Sequence, residues 1–124
     1  MAKNNASADL ANSEKIWLKS YHPSIPAVLP PLAHPNVAAL LLDACAKFAA
    51  RPAFRLMGKS MTFAETDAHS AALGAYLQSL GLQKGARIAL MMPNVLQYPV
   101  SILAVLRAGY TVVNVNPLYT AREL

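Results

Sequence analysis

The stretch RIALMMPNVLQYPVSILAVLRAGYTVVNV, residues 87–115, decides the fold. RIALMM is a continuous apolar run of strand length, and TVVNV is a second one. Strands apolar on both faces belong to parallel sheets covered on both sides. Between them, apolar residues recur at helical spacing from about Leu96 to Ala108, and Gly109 ends the pattern. Pro99 then falls in the first helical turn, where a missing amide costs little. Strand, helix, strand makes a parallel βαβ unit. The loop MPNVLQ after the first strand is no glycine-rich dinucleotide fingerprint, so a Rossmann cofactor site has no support.

Working towards the N-terminus, Gly81 closes a helix that opens at Thr62 with a capping box, Thr62 to Glu65. Leu73, Tyr76, Leu77 and Leu80 mark its expected buried face, and His69 falls on the same stripe one turn earlier. A lone histidine there reads as a satisfied interior residue. AFRLM and MTF flank Gly58-Lys59-Ser60, which predicts a short antiparallel hairpin with those three residues in the turn. The same three residues end a phosphate loop. That loop also needs a glycine at Ala53 and a helix after the serine, and here a strand follows. A further helix is expected from Val37 to Ala50, with Asn36 as N-cap and Pro52 as its stop. Val37, Leu40, Leu41, Ala44, Cys45 and Phe48 form its apolar stripe.

Residues 15–35 hold five prolines, which predict an extended or turning arm. Its Ile16, Trp17 and Tyr21 need cover, either from the body of the protein or from a membrane interface. Residues 1–14 are small and polar, and disorder is expected. The domain body is therefore residues 36–124. At its far end Thr120 and Glu123 form another capping box, which announces a helix beyond Leu124. The expectation is a truncated domain whose sheet lacks part of its cover.

Composition agrees. The 124 residues are 55% apolar and 14% charged, rich for a body with so much surface to cover. No apolar run approaches the roughly 20 residues of a spanning helix, and the start lacks the apolar core of a signal peptide. A cytosolic protein is expected. The net charge of +5 comes from scattered residues without a basic cluster, so nucleic acid is not an expected partner. The single cysteine, Cys45, excludes an internal disulfide and any CxxC metal site, and reads as a buried inert thiol. His22, His34 and His69 lack metal-ligand spacing. Glu65 and Asp67 point to different faces of their helix and make no carboxylate pair. No residue is assigned as catalytic, cofactor-binding or metal-binding.

The segments EKIWLKSY, RPAFRLMGKSMTFAETD and LGLQKGARIALMMPNVLQYPVSILAVLRAGYTVVNVNPLYTAREL together resemble the N-terminal part of bacterial long-chain fatty-acid–CoA ligases of the adenylate-forming, AMP-binding superfamily. The likeness runs from about Glu14 to Leu124. Two departures stand out: Ala86, where the family commonly has an acidic residue, and Ala121, where it commonly has proline. The resemblance implies an α/β fold, the N-terminal part of a layered αβαβα adenylate-forming domain. It implies a parent enzyme that uses ATP, Mg and coenzyme A to activate a long-chain fatty acid. The family's phosphate loop, acidic Mg motif, ribose-binding aspartate and mobile lysine-bearing domain match no residue here, so the segment itself is expected to be inactive. A peripheral contact with the inner face of the membrane and a homodimer stay open as further partners. The alternative is a complete small α/β binding module that holds an anionic ligand at helix N-termini.

Overall fold

The structure, a computed structural model, describes residues 15–124. The expected disordered tail lies outside the described residues. The chain divides after Leu32 into two compact units. In the first, Ile16–Ser20 form a short 3-10 helix, with the amide of Leu18 donating to the carbonyl of Lys15 at 2.9 Å. The prolines begin only at Pro23, so nothing in this pentapeptide opposes a turn. From there to Leu32 no helix or strand forms.

The second unit opens with α1, Val37–Lys47. The side chain of Asn36 accepts the amide of Ala39 at 2.8 Å, the cap the sequence predicts. The helix stops three residues short of Ala50. Arg51 precedes Pro52 and is pushed towards extended backbone. The carbonyls of Phe48, Ala49 and Arg51 instead accept the amides of Arg51, Ala64 and Phe63. That exchange ties the end of α1 to Phe63 and Ala64, the residues that follow the hairpin.

Strands β1, Pro52–Leu56, and β2, Lys59–Thr62, pair antiparallel with Phe54 opposite Met61 and Leu56 opposite Lys59. The turn is Met57-Gly58, at φ +46° and +76°. Two positive φ values in a two-residue loop match the twist of a hairpin. Lys59 and Ser60 therefore lie in β2, not in the turn as expected.

Helix α2 spans Phe63–Ser79, and its capping box forms as read. Its buried face differs from the expectation. Tyr76 and Leu80 are 60% and 51% exposed, and Leu73 and Leu77 are only half-buried. The residues shut off from solvent are Thr66, Ser70 and Gly74, one turn apart. They face α3, Gln97–Arg107. A Cβ on Gly74 would stand 3.3 Å from the Ala104 carbonyl oxygen and 3.2 Å from Arg107 Cγ. The small stripe lets the two helices meet closely, and the larger leucines on α2 flank it. His69 lies off this stripe and is exposed, so it is not the interior residue the spacing suggested.

Strands β3, Arg87–Met91, and β4, Thr111–Val115, pair parallel with Leu90 opposite Asn114 and Val112 opposite Ile88. Helix α3 crosses between them, completing the βαβ unit. Leu90, Val105 and Tyr110 form the core cluster, with Ile88 and Val112 against it. Leu103 is 2% exposed. The other face is open: Met91 is 43% and Val113 37% exposed, although both were expected to be buried strand positions. A two-stranded ribbon alternates its side chains, and α3 covers one side. Val115 is half-buried.

After β4, the carboxylate of Glu123 accepts from the amide and hydroxyl of Thr120 at 2.9 and 2.8 Å. The reach-back half of a capping box forms on a turn, and no helix is assigned there. Among the described residues no helix is long and apolar enough to cross a membrane.

The Glu65 carboxyl sits below its ordinary pKa because the amide and then the hydroxyl of Thr62 donate to it. A depressed folded pKa contributes stability above the unfolded value of 4.5, and that contribution is lost as pH falls through the folded value. Wild type is expected to be more stable than Glu65→Gln above about pH 5, with the gap closing on acidification, as measured by urea denaturation across pH.

Candidate functional site

Because β3 and β4 run parallel, the loops that follow them emerge on the same side. In open α/β sheets ligands bind beyond the carboxyl ends of the strands. Here those loops, with the first turn of α3, enclose an open cleft of about 580 Å³. Asn94, Tyr98, Asn114, Asn116 and Tyr119 supply its polar groups, and Met92 and Leu118 are among its apolar walls.

Each polar group is set by the backbone beneath it. Tyr98 stands on the first turn of α3, and its hydroxyl donates to Asn114 Oδ1 at 2.7 Å across to β4. This bond ties the helix start to the strand end. Asn116 Oδ1 accepts the amide of Leu118 at 3.0 Å, and its carbonyl accepts that of Tyr119 at 3.0 Å, which turns the chain sharply after the strand. The cap residue of α3, Leu96, makes no side-chain cap hydrogen bond.

The lining contains amides and phenols but no carboxylate, imidazole, thiol or cation. Such a surface offers hydrogen bonds and ring contacts to a ligand, and it lacks the residue types used most often as general base or nucleophile.

Several reactive residue types lie elsewhere, in structural settings. His34 Nε2 is 3.2 Å from Asp43 Oδ2. Arg107 Nη1 reaches Asp67 Oδ1 and the Asp67 carbonyl at 2.9 Å, and Ser70 Oγ at 2.8 Å. Glu65 and Glu123 serve threonines. Cys45 is buried, and burial, then the negative charge of Asp67, push its thiol pKa up against the opposing effect of Arg107. A raised pKa keeps the thiolate scarce, as an inert interior thiol requires. Among the described residues no three His, Cys, Asp or Glu gather as metal ligands.

The sequence reading assigned no site residue, and it missed the Tyr98–Asn114 pair. A signal existed: Asn114 interrupts an apolar strand, Val-Val-Asn-Val, where a lone amide needs a partner. What identified the partner was the register of β4 against α3, which only the fold supplies. The N-termini of α1 and α2 are occupied by their own caps, Asn36 and Thr62 with Glu65. An anion there would compete with those caps.

Residues 41–124 match the family model described as AMP-binding enzyme. The chain is 53% identical over 112 residues to the long-chain-fatty-acid–CoA ligase of Yersinia pestis, covering 90% of this chain and 20% of that protein. To the long-chain-fatty-acid–CoA ligase of Bacillus subtilis it is 43% identical with the same coverage. The chain thus spans about one fifth, 20%, of the length of these curated relatives. Among solved structures it resembles the N-terminal subdomain of Klebsiella oxytoca NpsA in complex with 3-hydroxyanthranilyl-AMSN, at a TM-score of 0.66 and 26% identity over 69% of this chain and 22% of that one.

Tyr98→Phe removes the bond to Asn114. The expected loss of stability is about 1 kcal/mol in urea denaturation, the usual net worth of one hydrogen bond.

Proposed function

Since the chain belongs to the AMP-binding enzyme family, we propose that it is the N-terminal part of a long-chain fatty-acid–CoA ligase. The observation that carries this is the 53% identity to the Yersinia pestis ligase over 112 residues. In the proposed reaction a fatty-acid carboxylate oxygen attacks the α-phosphorus of ATP. An acyl-adenylate forms and pyrophosphate leaves. The thiol of coenzyme A, giving up its proton, then attacks the acyl carbon, and AMP leaves as the thioester forms. A free carboxylate is a poor acyl donor, and adenylation supplies a good leaving group.

In this reading the described residues provide a scaffold. The cleft beyond β3 and β4 has no cation for a triphosphate and no carboxylate for Mg. Mg does not fit any residue cluster described, so no step is assigned to it here. The chain by itself is proposed to be inactive. Replacing the matching fifth of the Yersinia pestis ligase with this chain is expected to preserve ATP-dependent palmitoyl-CoA synthesis, while the 124 residues alone make none. A folded but inactive chimaera, or acyl-CoA from the isolated chain, overturns the proposal.

The reading extends to a peripheral contact with the inner face of the membrane through the arm. Trp17 is 51% exposed, with Lys15 and Lys19 near it in sequence. Trp and Lys suit the headgroup region. Co-sedimentation with anionic vesicles is expected to fall on Trp17→Ala, and unchanged binding sinks this extension.

A further inference from the structure

A second cavity lies away from the cleft, between α1, β1, α2 and α3. Its volume is about 190 Å³. Leu41 and Cys45 of α1, Phe54 of β1, Phe63 and Thr66 of α2, and Leu103 of α3 form most of its wall. This is not a bare face. Leu103, Thr66 and Cys45 are 2%, 4% and 5% exposed, so the floor is core, and Phe54, 37% exposed, marks the open side.

Water has little reason to occupy it. The only hydroxyl in the wall is that of Thr66, and it already donates to the carbonyl of Thr62 at 2.8 Å. A buried water needs roughly two to four polar partners. The lining otherwise offers hydrocarbon and a buried thiol, which behaves as a small apolar group. An engineered apolar cavity of ~150 Å³ stays dry and takes up benzene or xenon. The present one is somewhat larger and similarly lined, and it opens to solvent on the Phe54 side.

We infer that this cavity is a binding site for an uncharged hydrocarbon group of about the size of benzene. The inference does not rest on the proposed ligase activity. The group can be a whole small molecule or the end of an alkyl chain, since the wall recognises only apolar surface. A chain end must leave its polar head on the Phe54 side.

The test is a titration of the 124-residue chain, methyl-labelled at leucine and isoleucine, with benzene in one arm and hexanoate in the other. Saturable NMR shifts confined to Leu41, Ile102 and Leu103 are expected. Benzene alone binding identifies a small-molecule site, and hexanoate binding with the same residues identifies a chain-end site. Cys45→Phe fills the space and is expected to weaken binding at least tenfold while leaving the amide spectrum beyond the cavity unchanged. Ile102→Phe serves the same purpose should the first variant fail to fold. Shifts that never saturate or spread over all methyls, or binding that survives the filling variant, overturn the inference.

Discussion

The close crossing of α2 and α3 is the contact on which the rest depends. Gly74 removes the side chain that would hold the helices apart. Arg107 then reaches over the gap to the carbonyl and carboxylate of Asp67 and the hydroxyl of Ser70. A guanidinium suits this role because its donors are fixed in a plane and it remains charged. With α3 held there, Val105 meets Leu90 and Tyr110, and the parallel ribbon has one covered face. α1 packs on α2 and α3, and the carbonyls of Ala49 and Arg51, just past its end, accept the first amides of α2.

The same economy of polar groups accounts for the chemistry. Each described carboxylate is engaged with a neighbouring histidine, arginine or threonine. Caps and cross-braces occupy these acidic side chains. What remains at the carboxyl ends of β3 and β4 is a neutral cleft shaped by Tyr98 and the asparagines. Such a cleft offers shape and hydrogen-bonding surface, and the chain belongs to the AMP-binding enzyme family.

Much of the fold was legible. Asn36, and Thr62 with Glu65, announced two helix starts, because capping is a local interaction whose partners lie within four residues. The parallel pair was legible from continuous apolar runs. The hairpin was placed correctly, yet its turn is Met57-Gly58 rather than Gly58-Lys59-Ser60, with Met57 and Gly58 both at positive φ. The candidate cleft was not legible. Its central bond joins residues sixteen apart in the chain, and no periodicity encodes which asparagine a tyrosine will meet.

The sequence by itself determined the order and kind of the elements from α1 to β4, the caps of α1 and α2, and the family. These follow from local hydrogen bonding and from recurring patterns. Only the tertiary structure decided which face of each element is buried. On α2 the leucines gave way to Thr66, Ser70 and Gly74, because helix–helix contact rewards close approach as well as apolar area. On β3 and β4 one apolar face found a helix and the other did not. Hydropathy states that a side chain is suited to burial, and the arrangement of partners decides whether burial occurs.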